Sequence, residues 1–371
     1  MKIGVPKEIK NHEYRVGMIP ASVRELSSYG HQVFIESHAG AGIGFSDNDY
    51  IAAGASILPT AKEIYSTADM IVKVKEPQPT ERALLKPEQI LFTYLHLAPD
   101  FPQTEDLIKS KAICIAYETV TDNMGRLPLL APMSEVAGRM SIQAGAQTLE
   151  KSHGGSGLLL SGVPGVMPAK VLILGGGVVG SNAARMAIGL RADVTILDKN
   201  IDTLRKLDEE FQGKAKIAYS TKELLDQLVC EADLIIGAVL VPGAAAPKLI
   251  NKQHLKTMKA GSALVDVAID QGGCFETSRA TTHAEPTYVV DDIVHYCVAN
   301  MPGAVARTST FALNNATLPY ILKLANKGYR QALLEDKGFL KGLNVINGKL
   351  TIKEVADEFD LPYIDARQAL E

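Results

Sequence analysis

The sequence predicts an α/β protein made of two doubly wound domains, the first of which is discontinuous. Short apolar runs alternate with helix-compatible segments over two stretches of the chain, and a glycine-rich turn opens the second stretch. The length of 371 residues agrees, since one domain usually takes about 100–200 residues. We therefore expect residues 1–128 and 307–371 to form one domain and residues 129–306 to form the other.

The first series of strands is predicted from apolar runs at residues 2–5, 32–35, 70–74, 90–94 and 113–117. Helix-compatible segments such as residues 22–29 and 101–110 lie between these runs. Strands that are apolar on both faces suit a parallel sheet covered by helices on both sides. The alternation therefore predicts strand–helix–strand units in the first domain.

A change of pattern near Pro128 to Pro132 marks the passage to the second domain. A helix is predicted over residues 134–151, followed by a loop rich in glycine and serine. The second series of strands is predicted at residues 171–174, 193–197, 234–238, 262–267 and 294–299. A long helix over residues 308–327, which we expect to be kinked at Pro319, would return the chain to the first domain. The two domains would thus be joined by long helices.

Composition argues against several classes of partner. The net charge is −4, and no basic run or apolar run of about 18 residues occurs, so neither nucleic acid nor a membrane is expected. The first residues lack the features of a secretory signal. The four cysteines are widely spaced without a C-x-x-C pair, and Cys114 and Cys297 lie in apolar, strand-like runs, which favours buried free thiols over metal ligands or a nucleophile. These features predict a cytoplasmic protein.

The strongest local motif is the glycine-rich turn that follows the predicted strand 171–174. Gly175, Gly177 and Gly180 satisfy the G-x-G-x-x-G pattern, and a helix-compatible run follows. In this motif the first glycine makes the tight turn, the second lets the backbone approach a pyrophosphate, and the third lets helix and strand pack closely. The helix N-terminus then stabilises the phosphate charge. The motif predicts a Rossmann-like dinucleotide-binding domain.

The next predicted strand ends in Asp198, about 20 residues beyond the first glycine of the turn. A carboxylate at this position accepts hydrogen bonds from the adenine ribose and repels a 2′-phosphate, so NAD is predicted rather than NADP. The adjacent Lys199 works against this preference, since a cation can accommodate that phosphate. The alternative is a glycine turn in an α/β protein that binds no nucleotide.

Polar residues also follow other predicted strands, at the ends where open α/β sheets bind ligands. They are Arg15, Lys75, His96 and Glu118 in the first domain, and Asp270 and Asn300 in the second. An arginine suits a carboxylate, a lysine can bind a carbonyl or carboxylate oxygen, and a histidine moves protons near neutral pH. An aspartate near the cofactor could orient water or stabilise a developing iminium. Together these groups could handle an amino or keto acid.

Each of these residues also has a purely structural interpretation. His96 could be a histidine that only hydrogen-bonds its own loop. Lys75 could pair with Glu76, and Arg15 with Glu13, in surface ion pairs worth at most about 1 kcal/mol. Spacing alone leaves these alternatives open.

Longer motifs resemble those of the alanine dehydrogenase family. They occur in order along nearly the whole chain, at residues 3–10, 13–16, 72–77, 92–98, 132–138, 267–273 and 298–305. The resemblance implies a reversible oxidative deamination, in which L-alanine, NAD⁺ and water give pyruvate, ammonium and NADH. It further implies that Arg15 and Lys75 bind the substrate and that His96 and Asp270 are the acid/base pair.

The resemblance also implies the contacts to NAD and a homohexameric assembly. Beyond the glycine turn and Asp198, the implied NAD contacts are Ser134, Val178, Ser220, Val239, Leu240, Val267, Ala268, Ile269, Asp270, Arg279, Val298, Ala299, Asn300 and Met301. Thr203 stands where relatives often carry a basic residue. Some relatives hold a divalent ion through the residue matching Glu118 and a histidine of the long C-terminal helix. Here that helix has Asn326 and Lys327 instead, so no metal is predicted.

Three other functions stay open. The chain could be the NAD-binding component of a proton-translocating transhydrogenase, another amino-acid dehydrogenase such as a saccharopine-type enzyme, or a non-catalytic NAD sensor. The joint presence of Arg15, Lys75, His96 and Asp270 favours a dehydrogenase, because neither a hydride relay nor a sensor needs all four. A saccharopine-type enzyme would need a larger substrate pocket.

Overall fold

The computed structural model describes residues 1–239 and 246–371. The chain divides into two compact units: unit 1 comprises Met1–Met133 with Val305–Glu371, and unit 2 comprises Ser134–Ala304.

The first segment of unit 1 alternates strands and helices. Its strands are β1 (Lys2–Val5), β2 (Gln32–Glu36), β3 (Ser56–Leu58), β4 (Met70–Val72), β5 (Ile90–Thr93) and β6 (Ile113–Ala116). Its helices are α1 (Pro20–Ser28), α2 (Asp47–Ala52), α3 (Ala61–Thr67), α4 (Pro79–Arg82) and α5 (Phe101–Ser110).

The chain enters unit 2 along a long helix, α6 (Ala131–Thr148). The strands that follow are β7 (Lys170–Leu174), β8 (Asp193–Asp198), β9 (Lys216–Tyr219), β10 (Leu234–Gly237), β11 (Ala263–Asp266), β12 (Thr287–Val290) and β13 (Ile293–Tyr296). The helices are α7 (Val178–Gly189), α8 (Ile201–Phe211), α9 (Lys222–Glu231) and α10 (Lys252–Leu255).

The last segment of the chain completes unit 1. It consists of α11 (Ala306–Glu335), α12 (Lys337–Leu340), β14 (Leu343–Ile346), β15 (Lys349–Leu350), α13 (Lys353–Phe359) and α14 (Ala366–Leu370). Pro319 lies inside α11, and a break in this helix falls farther along the chain, at Gly328, whose φ of 73° is non-helical. Glycine adopts this left-handed conformation without steric penalty, so the break falls there.

The sheet of unit 1 has the strand order β15-β14-β6-β5-β4-β1-β2-β3 within the described residues. Strands β1 to β6 pair in parallel, whereas β14 pairs antiparallel with both β6 and β15. The expected discontinuous first domain is therefore confirmed, since strands from both ends of the chain share one sheet. The direction of winding reverses between β1 and β4, which is where an open sheet forms a crevice at its carboxyl edge.

The sheet of unit 2 has the order β12-β13-β11-β10-β7-β8-β9 within the described residues. Its strands pair in parallel except β12, which is antiparallel to β13. The central strands β10 and β11 are fully buried, as expected of parallel strands covered on both faces. The winding reverses between β7 and β10, so this sheet also has a crevice at its carboxyl edge. The predicted α/β class with two doubly wound sheets is confirmed.

A buried ion cluster lies beside the carboxyl end of β4. The Lys73 ammonium lies 3.0 Å from Glu8 and 2.7 Å from Glu81, and the side chain of Lys73 is 0% exposed. Burial alone would lower the pKa of Lys73, but the two carboxylates outweigh burial and raise it. Glu8 also accepts hydrogen bonds from the amides of Val74 and Lys75, at 2.7 and 3.3 Å. The cluster thus ties the loop after β1 to the backbone that follows β4.

Among residues 1–239 and 246–371, no helix is both long and apolar enough to cross a membrane.

Candidate active site

Four polar residues of unit 1 lie beyond the carboxyl ends of four parallel strands. Arg15 follows β1, Lys75 follows β4, His96 follows β5 and Glu118 follows β6. Because parallel strands end at the same edge of a sheet, all four belong to the edge where the winding reverses.

The Arg15 guanidinium is buried and held by a carboxylate. Its Nε and Nη2 donate to the two oxygens of Glu13 at 2.7 and 2.6 Å, a bidentate arrangement. Arg15 is 3% exposed and Glu13 6%, so the alternative of a surface ion pair is wrong. Nη1 donates to the sulfur of Met133 at 3.1 Å, which is a weak acceptor. The ion pair with Glu13 thus fixes the plane of the permanently charged Arg15 guanidinium.

Lys75 is partly buried near the same cation. Burial lowers the pKa of its ammonium, Glu76 opposes this shift, and the positive charge of Arg15 adds to it. The ion pair that Glu76 forms is with Lys10 rather than with Lys75, so the expected structural alternative for Lys75 is wrong. The Thr93 hydroxyl donates to the Lys75 carbonyl oxygen at 2.9 Å, and this bond joins the ends of β4 and β5.

The imidazole of His96 is 42% exposed and stands on a strained backbone. His96 has φ 50°, a left-handed conformation that is uncommon for a residue with a side chain. Its amide donates to Glu118 Oε1 at 2.6 Å, and the Leu95 amide donates to the same oxygen at 3.1 Å. The Tyr94 ring stacks on the imidazole with centroids 5.7 Å apart and planes 7° apart. An exposed, oriented imidazole at a strand end can exchange protons with a bound molecule.

In unit 2 the glycine turn connects β7 to α7. Gly175 has φ 99°, and a Cβ there would lie 2.7 Å from the carbonyl oxygen of Ala238. A Cβ on Gly180 would lie 1.8 Å from the carbonyl oxygen of Gly175, whereas one on Gly177, the N-cap of α7, would meet nothing within 4 Å. Two glycines are therefore required by the turn itself, and the third leaves open space before a helix N-terminus. Such a cradle fits a pyrophosphate.

Asp198 at the end of β8 is held beside this turn. Its carboxylate accepts from the amides of Gly176 and Asn200, at 2.6 and 2.7 Å. A carboxylate has about four acceptor positions, so two bonds leave capacity for hydroxyl donors. The side chain is partly exposed, which agrees with a role toward a ligand.

The loop after β11 carries the segment Val267 to Asp270. A short 3-10 turn covers Ile269–Gln271, and Asp270 is exposed. The carboxylate of the buried Asp266 accepts from the amides of Ala268 and Cys274 at 3.1 and 2.8 Å, and from the Ser278 hydroxyl at 2.5 Å. Burial raises the pKa of Asp266, and these bonds oppose that shift. Asp266 thus ties together both ends of the loop that presents Asp270.

The remaining residues predicted to contact the cofactor lie mostly beyond the carboxyl ends of strands in unit 2. Ser220 follows β9, Val239 follows β10, and the segment Val298 to Met301 follows β13, whereas Ser134 lies in the first turns of α6. The Arg279 guanidinium packs over the Tyr288 ring at 4.1 Å. Leu240 lies outside the described residues.

The predicted state of the cysteines is confirmed for Cys114 and Cys297, which are buried free thiols. Cys274 is also buried, and Cys230 is exposed. Within the described part of the chain, no group of three or more histidine, cysteine, aspartate and glutamate side chains could hold a metal ion.

Three structural contacts near the candidate site were not recognised from the sequence. The sequence did not indicate the cluster of Glu8 and Lys73, the sulfur contact of Met133 or the loop anchor Asp266. Lys73 and Glu8 are 65 residues apart and Met133 and Arg15 are 118 apart, whereas Asp266 binds groups within its own loop, whose folding the sequence does not indicate. The available signal was Lys73, which stands between the apolar Val72 and Val74, since a charged residue is almost never fully buried unless it is paired.

Comparisons with known proteins agree with this architecture. Residues 4–137 match the model of the alanine dehydrogenase/PNT N-terminal domain, and residues 141–353 match the model of the corresponding C-terminal domain. The chain is 62% identical to an alanine dehydrogenase of Halomonas elongata, covering 99% of each chain. It is 57% identical to an alanine dehydrogenase of Methanococcus maripaludis, covering 100% of each.

Solved structures give the same result. A structure described as L-alanine dehydrogenase superposes with a TM-score of 0.94 at 54% identity, covering 97% of this chain and 99% of that one. A transhydrogenase structure from Sinorhizobium meliloti superposes with a TM-score of 0.83 at 22% identity, covering 94% and 100%, and shares the fold. The chain therefore belongs to the alanine dehydrogenase/PNT family of enzymes.

Proposed function

We propose that this enzyme catalyses the reversible NAD-dependent oxidative deamination of L-alanine to pyruvate and ammonium. The observation that carries the proposal is the combination of a locked guanidinium, a second cation and an exposed imidazole at one sheet edge of unit 1. A small amino or keto acid offers a carboxylate, a carbonyl or amine, and exchangeable protons to these three groups.

Arg15 and Lys75 bind the substrate in this proposal. Arg15 is held in plane by Glu13, and a substrate carboxylate is a far stronger acceptor for its Nη1 than the sulfur of Met133. Lys75 donates to the carbonyl oxygen of pyruvate. In the direction of deamination it lies beside the amino group of alanine. A lowered pKa suits this role, because a partly desolvated ammonium gains more from a new oxygen acceptor.

His96 and Asp270 form the acid/base pair in this proposal. After the Cα hydride of alanine has left for NAD⁺, water adds to the resulting iminium carbon, and His96 accepts a proton from that water. His96 then donates this proton to the amine nitrogen and takes the remaining hydroxyl proton as the C–N bond breaks, so that ammonia and pyruvate are released. The reverse direction retraces these transfers. Asp270 orients the attacking water and stabilises the positive charge that develops on the substrate. Both side chains are exposed at carboxyl edges, so both are accessible to a bound molecule.

NAD fits the edge of unit 2. The open space before Gly177 and the helix behind it suit a pyrophosphate, and Asp198 suits the adenine ribose. We expect Ser220, Val239, Arg279 and the segments Val267 to Asp270 and Val298 to Met301 to complete the cofactor site. When bound, NAD⁺ supplies the hydride acceptor.

Replacing Asp198 with alanine should weaken NAD binding and relax discrimination against NADP. A lost hydrogen bond to a charged group is worth about 1.5–3 kcal/mol, so the dissociation constant for NADH should rise by about 10- to 100-fold. Titration of NADH and NADPH fluorescence measures both changes. The matched control is Asp193→Ala at the opposite end of β8, where the carboxylate pairs with Lys216. An unchanged NADH-to-NADPH preference in Asp198→Ala would remove Asp198 from the ribose site.

Turnover should be insensitive to a chelator. Glu118 is engaged with two backbone amides, and the C-terminal helix offers Asn326 and Lys327, not a histidine. Assays with and without about 5 mM EDTA, followed by added Mg²⁺, test this, since a divalent site would lose its ion to the chelator. A loss of activity that Mg²⁺ restores would contradict the prediction.

We also infer a homohexamer, as the family resemblance implies. Light scattering coupled to size exclusion measures the mass directly, and a mass of one 39.8-kDa chain would exclude the assembly.

The direct test of the reaction is absorbance at 340 nm. Purified protein with NAD⁺ and L-alanine at alkaline pH should generate NADH, and pyruvate with ammonium should consume it. Activity with another small amino acid instead of alanine would keep the chemistry and change the substrate. Tight NADH binding without any turnover would favour a hydride relay or a sensor.

A further inference from the structure

We propose that Glu118 is a positioning residue for His96: its carboxylate clamps the peptide backbone on which the imidazole stands. This inference rests on the proposed role of His96 in proton transfer. It assigns to Glu118 no contact with substrate or cofactor.

The first argument is the backbone conformation of His96. A left-handed residue with a side chain costs on the order of 1 kcal/mol or more and persists only where its surroundings enforce it. The amides on either side of the Cα of Leu95 point at one carboxylate, with distances of 2.6 Å for His96 and 3.1 Å for Leu95 to Oε1, and 3.3 Å for Leu95 to Oε2. An ionised acceptor binds amides about twice as strongly as a neutral one. Glu118 is therefore the group that holds the turn.

The second argument is the solvent environment of the clamp. The Glu118 side chain is 14% exposed, so its hydrogen bonds are largely shielded from water, whereas the imidazole is 42% exposed. The loop is held from its other side by Gln103, whose amide donates to the Leu95 carbonyl oxygen at 2.6 Å. The backbone of His96 is thus held in place, while its imidazole stays accessible.

The third argument is that Glu118 acts through the backbone rather than on the ring. The distance from Glu118 Oε1 to His96 Nδ1 is 3.9 Å, which is too long for a hydrogen bond. The same oxygen is already engaged by both amides. The orientation of the imidazole then follows from the clamped peptide and from stacking on Tyr94.

The chain offers a matched control in the same unit. His38 also has a positive φ, 63°, and its amide donates to the carboxylate of Asp47 at 2.8 Å. The ring of His38 likewise lies 3.9 Å from that carboxylate, but its side chain is 76% exposed and no site role is assigned to it. Asp47→Ala therefore removes the same kind of clamp from a histidine outside the site.

The experiment compares Glu118→Ala, Glu118→Gln, His96→Ala, the double variant Glu118→Ala/His96→Ala and Asp47→Ala. We expect Glu118→Ala to lower kcat by about 10²-fold, the loss typical of a displacement of about 1 Å, with little change in NADH affinity. Glu118→Gln keeps one oxygen that can accept both amides and should recover a large part of kcat. Asp47→Ala should keep kcat while it lowers the melting temperature to a similar extent as Glu118→Ala.

The double variant separates positioning from other roles. If Glu118 acts through His96, the double variant is no slower than His96→Ala alone, so the effects are strongly non-additive. Fully additive losses, or an unchanged kcat in Glu118→Ala, would overturn the proposal. A normal kcat in His96→Ala would instead refute the proton-transfer role of His96, and that failure is recognisable without any Glu118 variant.

Discussion

A chain with alanine in place of His96 should turn over L-alanine about 10²-fold or more slowly, the loss expected when a general acid/base is removed. NADH affinity should remain, because the glycine turn and Asp198 belong to unit 2, whereas His96 belongs to unit 1. Alanine adopts φ 50° no more easily than histidine does, so the substitution does not relieve the backbone strain at this position. Steady-state rates in both directions, together with NADH fluorescence titration, measure the two quantities.

The control for this variant is His38→Ala, which removes an exposed imidazole from another left-handed position of the same unit. We expect its kcat to equal that of the parent enzyme. Unchanged turnover in His96→Ala would exclude His96 from proton transfer and leave the structural interpretation.

The second large effect is expected on stability. Lys73→Met should lower the free energy of unfolding of unit 1 by about 3–5 kcal/mol, because it leaves the buried carboxylates of Glu8 and Glu81 without a compensating charge. Scanning calorimetry measures the shift. Lys109→Met is the control, since its partner Glu105 is 49% exposed and the pair is worth at most about 1 kcal/mol.

The stability lost in Lys73→Met should increase as pH rises. Burial raises the pKa of Glu8, and the positive charge of Lys73 opposes that rise. A carboxyl whose pKa is raised on folding binds more protons when folded, so its contribution to stability falls as pH rises. Without Lys73 the upward shift of the Glu8 pKa grows, so the variant should lose more stability than the parent as pH rises above 4.5, the ordinary pKa of a glutamate.

A rescue variant tests the electrostatic explanation. Adding Glu8→Gln and Glu81→Gln to Lys73→Met removes every charge of the cluster, and replacing a whole buried ion cluster is often close to neutral. We expect most of the lost stability to return. Failure of the rescue would mean that shape, and not charge, accounts for the destabilisation.

The pattern of apolar and polar residues within short segments predicted some of the strands and helices and the glycine turn. Strand β1 and helix α5 lie where their apolar periodicity placed them, and the glycine turn has the conformation that its spacing requires. The short strand β14 was missed, because its four residues are stabilised by pairing with β6, which is more than 200 residues earlier in the chain. A strand that is stabilised by a partner so distant in sequence need not show a recognisable pattern in its own residues.

In the candidate site, too, some features were predictable from local sequence and others depend on distant contacts. Residue type and position after a strand were enough to predict the placement of His96 and Arg15 at strand ends. The environment of Arg15 was not predictable, since burial of the pair with Glu13 depends on elements that pack over it. The same holds for Glu118. Its hydrogen bond to the His96 backbone depends on a left-handed turn that the amino-acid sequence does not indicate.

The antiparallel pairing of β14 with β6 has a consequence during protein synthesis. Strand β6 is made before the whole of unit 2, and the residues that cover its edge emerge only after residue 342. At about 5–20 residues per second, the ribosome leaves this apolar edge unpaired for roughly 10–45 s. An open, apolar strand edge is a template for pairing with other chains. The nascent protein is therefore most exposed to aggregation while its nucleotide-binding half is folding, and a chaperone that shields β6 in that interval should raise the yield of folded enzyme.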